Sequence, residues 1–171
     1  MNNKGIENRI EFYKIVKEYT KNVEFQKMKK CAHHGTSRYD HSVRVAYETY
    51  KVCKKLKMDY EEITIAALLH DFYTDEVNNL PQKERLQNHP EIACQNARRV
   101  FQISEEQEEM IRTHMFPITK EIPKSKAAWI IDGIDDVVAI KERKEEYYQY
   151  MKAGFLFLYR NTIKRLTKQN I

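Results

Sequence analysis

The chain has 171 residues, 42% of them hydrophobic and 32% charged, which suffices for one sizeable core and is too short to favour a second domain. Four Gly and four Pro are too few for a turn-rich β-sandwich, and no apolar run approaches the roughly 18 residues that span a bilayer, so fibrous, collagen-like and transmembrane classes fall away. The 30 Lys and Arg exceed the 25 Asp and Glu for a net charge of +5, yet residues 1–140 hold 22 of each, and residues 141–171, with 8 basic and 3 acidic, carry the whole excess. Basicity confined to one end does not make a nucleic-acid groove, which needs a continuous cationic surface with stacking aromatics. Cys31, Cys53 and Cys94 are odd in number and widely spaced, so free thiols are expected in place of a disulfide framework or a thiolate zinc site. The first residues lack the apolar core of a signal peptide, and a cytoplasmic protein is the expectation.

Periodicity is helical throughout, and the predicted fold is all-α: an N-terminal helix, a core over about residues 31–140, and a basic C-terminal helix packed on it in one domain, 1–171. Tyr39, Val43, Ala46, Tyr50, Cys53 and Leu56 recur three and four apart and predict a buried stripe on a helix from Ser37 to Lys57. Asp59 with Glu62 reads as a capping box for a helix running through Ile63 to Leu69, apolar almost all round and so central. Residues 72–88 read as a loop or short irregular helix, and Pro90 suits the first position of the next helix, with Ile92, Ala93, Ala97, Val100 and Phe101 on one face. Ser104 with Gln107 caps a helix reaching Met115, before Pro117. A further helix covers about Ser125 to Glu142, and a last one ends in the basic tail. That tail runs from Ala153 through Ile163 and Leu166 among Lys164, Arg165 and Lys168, and is amphipathic: it suits packing on the core or in a homodimer better than a membrane surface.

The histidines sit at helix ends or inward-facing positions. His41 lies near the start of a long helix, His70-Asp71 closes the most apolar one, His89 precedes Pro90, and His114 ends a helix on the face of Met110 and Ile111. Adjacent His and Asp at the end of an apolar helix are costly to bury unless paired or metal-bound, and imidazole with carboxylate suits iron, manganese, nickel or zinc. Among Asp132, Asp135 and Asp136, Asp135 projects from the apolar stripe of Ile131 and Val138, so it is the candidate ligand, with Asp132 and Asp136 supporting it or facing solvent. Read individually, His89 equally suits a helix N-cap and His114 a helix C-terminus.

The order His41, His70-Asp71, Asp135 resembles the H…HD…D signature of the HD-domain metal-dependent phosphohydrolase superfamily, and the intervening His89 and His114 resemble its extended, two-metal form. Segments 39–46 (Tyr-Asp-His-Ser-Val-Arg-Val-Ala), 67–72 (Ala-Leu-Leu-His-Asp-Phe), 88–93 (Asn-His-Pro-Glu-Ile-Ala) and 113–117 (Thr-His-Met-Phe-Pro) look like those of small single-domain bacterial members. The resemblance spans about Cys31 to Asp136 and implies a helical bundle of about six to eight helices. It implies one or two divalent ions (Fe, Mn, Ni, Zn or Mg): His41, His70, Asp71 and Asp135 would hold one, and Asp71 would bridge to a second held by His89 and His114 and orient the nucleophilic water. Two positions depart from many relatives: Thr74 stands where a Lys often follows the His-Asp pair, and Asp136 stands where Lys often follows the last ligand.

The reaction so implied is hydrolysis of a phosphate ester or anhydride of a small phosphorylated substrate, most plausibly a nucleotide. Lys27, Lys29, Lys30, His33, His34, Arg38 and Arg44 form a cationic approach to His41, with Lys126 ahead of the last ligand's helix; His34, Arg38 and Lys126 are the chosen substrate contacts, ordinary solvated charges being the alternative. The same ligands would serve a di-iron oxygenase, as in the inositol and aminophosphonate oxygenases that resemble the extended pattern, or a non-catalytic nucleotide-binding module.

Overall fold

The computed structural model describes residues 3–33, 35–77 and 79–168, with side chains within 4–148 except at 34 and 78. The described chain is all-α apart from one two-residue hairpin: α1 (Asn3–Lys21), α2 (Val23–Lys27), a 3-10 turn (Met28–Lys30), β1 (Ala32–His33), β2 (Thr36–Ser37), α3 (Arg38–Lys55), α4 (Tyr60–Leu69), α5 (Gln82–Phe101), α6 (Glu105–Thr113) and α7 (Lys126–Lys168). In the antiparallel hairpin Ala32 pairs with Ser37 and His33 with Thr36. Its turn needs Gly35 twice over: φ is +77°, and a Cβ there would lie 2.9 Å from the Glu146 Cβ on α7.

The apolar α4 lies at the centre, against α1, α3, α5 and α6, while α7 lies across α3 and α6. Its Ala66, Ala67, Leu68 and Leu69 join Phe25, Met28, Val45, Tyr50, Ile111 and Ile131 in the buried cluster. Such a helix must sit inside, because no face of it can be turned to water without exposing apolar surface at roughly 25 cal/mol per Å². Among the described residues no helix is long and apolar enough to cross a membrane.

Several local expectations are corrected. The buried face of α3 carries Arg38, His41, Ser42, Val45, Ala46, Thr49, Tyr50 and Cys53, while Tyr39 and Val43 are half-buried and Leu56 is exposed. The helix is rotated so that its polar His41 and Arg38 reach the interior, which hydropathy alone opposes. Asp59 makes no side-chain cap bond, whereas the Ser104–Gln107 capping box forms in both directions. The helix it starts stops at Thr113, with His114 as its C-cap.

The predicted loop over 72–88 is shorter, because α5 begins at Gln82 and Pro90 lies inside it. Pro90 removes the donor for the carbonyl one turn back, yet His89, Pro90, Ala93, Cys94 and Ala97 form one buried face, and that packing keeps the helix unbroken. The two helices expected after Ser125 are one continuous helix, α7, since the intervening Lys-Glu-Arg-Lys-Glu-Glu run of 141–146 consists of strong helix formers. What the apolar tail side chains pack against lies outside the described residues.

Candidate metal centre

Three helices, α3, α5 and α7, and the C-terminal ends of two more, α4 and α6, converge on a buried ring of imidazoles and carboxylates. His41 comes from the first turns of α3, His70 caps α4 with Asp71 next, His89 projects from mid-α5, His114 caps α6, and Asp135 projects from α7. His41, His70, Asp71, His89 and His114 are each at least 95% buried.

Their protonation follows from their neighbours. The Nδ1 of His70 lies 2.7 Å from the Ala67 carbonyl, that of His89 3.0 Å from Arg85 O, and that of His114 2.6 Å from Ile111 O. A carbonyl only accepts, so each Nδ1 carries the proton, and in the neutral ring each Nε2 presents a lone pair. Those lone pairs meet: the Nε2 atoms of His89 and His114 are 3.0 Å apart and lie 3.3 and 3.8 Å from Asp71 Oδ1. The Nε2 of His70 is 3.5 Å from Asp135 Oδ1 and 4.0 Å from Asp71 Oδ2. Both His70 Nε2 and Asp71 Oδ1 are buried without a hydrogen-bond partner.

Electrostatics divides the ring. Burial, then His70 and His89, push His114 down to about 3, and burial also lowers His89. For His70 burial is outweighed by Asp135 and Asp71, which raise it. His41 is pushed up to about 10, because hydrogen bonds to Asp135 and Glu142 overcome its burial. Its Nε2 lies 2.8 Å from Asp135 Oδ1 and its Nδ1 2.8 Å from Glu142 Oε2, while Arg44 donates to Glu142 Oε1 at 2.9 Å. Burial would raise the Asp71 and Asp135 carboxyls, but the imidazoles, His70 first, hold both well below the usual carboxylate range.

Buried lone pairs facing one another need a cation. Protons fill the role poorly at His114, where a charge is most disfavoured, whereas a divalent ion satisfies several nitrogens and oxygens together. The geometry offers overlapping groups whose ligand atoms lie within 4.8 Å of one another: His41, His70 and Asp71; His70, His114 and Asp135; Asp71, His89 and His114; and His33, His41 and Glu142. These His/Asp groupings can hold a metal. Their nitrogen and oxygen donors match borderline first-row ions better than thiophilic ones, and burial pushes the Cys53 and Cys94 thiols up to about 11, so that they stay protonated near neutral pH.

The cationic approach is rearranged. Arg38 is 5% exposed, lies over the Tyr73 ring at 3.7 Å, donates to Tyr73 O and Thr74 O at 3.1 and 3.2 Å, and holds Nε 3.9 Å from Asp71 Oδ2. His33 Nδ1 also lies 3.9 Å from Asp71 Oδ2, with its ring 4.2 Å from that of His41. Lys126 is exposed at the start of α7, about 13 Å along the axis from Asp135, and is not brought to the ring. Lys27 pairs with Glu24, and Lys29 covers Tyr39. His34 lies outside the described residues. Asp136 is exposed, while Asp132 is buried and raised to about 6 by burial and by Asp136.

Sequence reasoning missed Glu142 as a neighbour of His41. Glu142 stands two helical turns after Asp135 on the same face, but within the Lys- and Glu-rich run 141–146 that spacing does not set it apart from a solvated charge. It also missed Tyr73, Arg85 and Arg143, which line one cavity with His33 and Arg38. Comparison with the curated proteins and with the solved structures gave no match. The family model described as HD domain matches residues 38–140, more than half of the chain and the stretch that holds every member of the ring from His41 to Asp135; the chain belongs to the HD domain family.

Proposed function

We propose that the protein is a metal-dependent phosphohydrolase acting on a small phosphorylated substrate, with His41, His70, Asp71 and Asp135 holding one divalent ion and Asp71, His89 and His114 a second. HD domain membership supports metal-dependent hydrolysis. The observation that carries the reading is the set of unpartnered lone pairs, His70 Nε2 and Asp71 Oδ1 with the apposed nitrogens of His89 and His114. When bound, such ions supply hydroxide near neutral pH and neutralise phosphoryl charge.

The chain's own residues do the rest. Three backbone carbonyls fix the tautomers of His70, His89 and His114, so no proton need leave those nitrogens when an ion binds. Glu142 does the same for His41. Asp71, which belongs to two ligand groups, would orient the attacking water, and the Arg38 guanidinium, with Nε 3.9 Å from Asp71 Oδ2, would meet phosphoryl oxygens there.

The test is elemental analysis together with anaerobic phosphate release from a panel of nucleotides, dinucleoside polyphosphates and sugar phosphates. We expect one or two divalent ions per chain and oxygen-independent turnover, with His70→Ala and Asp71→Ala each losing metal and more than a hundredfold in rate. Metal-replete protein that releases no phosphate from the panel, or releases product only with oxygen, overturns the reading.

A further inference from the structure

The inner side of α7, with Ala128, Ile131, Asp132, Val138 and Glu142, is buried against the body. Its opposite side carries Trp129, Val137, Ile140 and Tyr147, which are 47%, 48%, 53% and 67% exposed and lie in one stripe at helical spacing. Gly133, also exposed, falls between Trp129 and Val137, with nothing within 4 Å of where a Cβ would stand, so another helix can approach closely there. Lys144 is the charged residue in the stripe. Burial on α7 ends at Glu142: every residue from Arg143 to Tyr148 is exposed, and the helix runs on to Lys168, about 39 Å further at 1.5 Å per residue. The same spacing continues in the sequence at Met151, Phe155 and Leu158. A contiguous exposed apolar face marks an interaction surface, and long helices owe most of their stability to packing such a face.

Charge identifies what covers it. Residues 154–168, the end of α7, hold four basic residues and no acidic one, whereas residues 105–136, from α6 to the first turns of α7, hold four basic and eight acidic. Two copies of α7 laid parallel would set like charge against like. Laid antiparallel, the basic end of each runs beside the acidic start of the other. That pattern is self-complementary, as a two-fold contact between identical chains requires, because the same patch serves both copies. An anionic bilayer would instead meet the exposed Asp136 at the edge of the stripe, so the charge favours a second copy over a membrane surface.

We infer that the chain forms a two-fold dimer in which the α7 helices pair antiparallel along the face of Trp129, Val137, Ile140 and Tyr147. The helices cross near Tyr147, midway between Lys126 and Lys168. The pairing braces from outside the helix whose inner side brings Asp135 and Glu142 to His41.

Sedimentation equilibrium of the full chain over a range of concentrations tests this. We expect a dimer, and we expect Val137→Glu with Ile140→Glu to raise its dissociation constant at least tenfold, since each charge would be buried against an apolar partner. Val137→Ala with Ile140→Ala keeps the helix propensity and should lie between the wild type and the Glu pair, which separates loss of the contact from misfolding. Trp129 is the one tryptophan of the chain, so its fluorescence should move to shorter wavelength over the same concentrations at which the mass doubles. Orientation is read by oxidative cross-linking against the wild-type background of Cys31, Cys53 and Cys94. Tyr147→Cys should link two copies, and Trp129→Cys should not, because antiparallel pairing sets its two positions about 54 Å apart along the axis. A chain that stays monomeric at every concentration, a dimer that both pairs of substitutions leave unchanged, or cross-linking through Trp129→Cys in preference to Tyr147→Cys overturns the inference. A monomer whose Trp129 emission shifts on vesicles of phosphatidylcholine with phosphatidylserine also overturns it and assigns the face to a membrane. None of these measurements depends on turnover, so the result stands apart from the hydrolase reading.

Discussion

Glu142 governs the state of His41. With Asp135 on Nε2 and Glu142 on Nδ1, the imidazole is held between two carboxylates, and an ion can take Nε2 only while Nδ1 keeps its proton on Glu142. Carboxylates in this position raise ligand basicity, and their loss commonly weakens metal affinity 10–100-fold. Glu142→Gln, which keeps the shape and removes the charge, should fall in that range in a competition titration against a chelating dye; an unchanged affinity would assign Glu142 to packing alone. Asp132 offers a pH measurement. Its carboxyl titrates near 6 in the fold against 3.8 as the ordinary value, because burial and Asp136 disfavour the charge. The folded state therefore holds the extra proton, and the stability this confers is full below about pH 4 and lost as pH rises through about 6. In metal-free protein Asp132→Asn should raise Tm at about pH 7.5, by up to about 3 kcal/mol in stability, and leave it nearly unchanged at about pH 4. At this scale the ring members from His41 to Asp135 were visible as residue types at helix ends and on apolar faces. Glu142 was not, because in a Lys- and Glu-rich run it looks like any solvated charge until α7 lies on α3.

Helix ends show which local signals were sufficient. Ser104 accepts from the Gln107 N–H while Gln107 accepts from the Ser104 N–H, so Ser104→Ala should cost about 1 kcal/mol. Asp59 has the same sequence signature and makes no cap bond, so Asp59→Ala should cost less than about 0.5 kcal/mol, within the range of surface substitutions. Thermal unfolding of the two variants side by side checks both values. The capping box is a contact between residues three apart and is readable from sequence. Whether it forms at Asp59 depends on the path of the preceding turn, where Lys57 takes a left-handed φ of 56°. The same distinction explains α5: a proline is a reliable local signal for a helix start, and here the apolar face around it outweighs the lost hydrogen bond.

Across the whole molecule the ring couples metal binding to folding. An unfolded chain cannot bring His41, His70, Asp71, His89, His114 and Asp135 together, so an ion that binds the folded state stabilises it by RT ln(1 + [L]/Kd), about 2.7 kcal/mol at a hundredfold excess over Kd. Chelator-treated protein should therefore unfold at lower temperature than protein refilled with Mn(II) or Zn(II), and His70→Ala should abolish the difference; a Tm indifferent to chelation would argue against a bound ion. The +5 net charge fits the same picture, since residues 1–140 are balanced and the positive charge that matters would be concentrated at the ring and its neighbouring arginines. By itself the sequence determined the all-α class, the central α4, and the order of histidines and aspartates that marks the family. Each of these follows from periodicity over a turn or two, or from the succession of residues along the chain. Only the tertiary structure decided the rest: the unbroken α5, the place of Glu142 beside His41, and the cavity at Asp71 lined by Arg38 and Arg85. These depend on partners up to 101 residues apart, and such contacts arise when helices pack and bury their apolar faces.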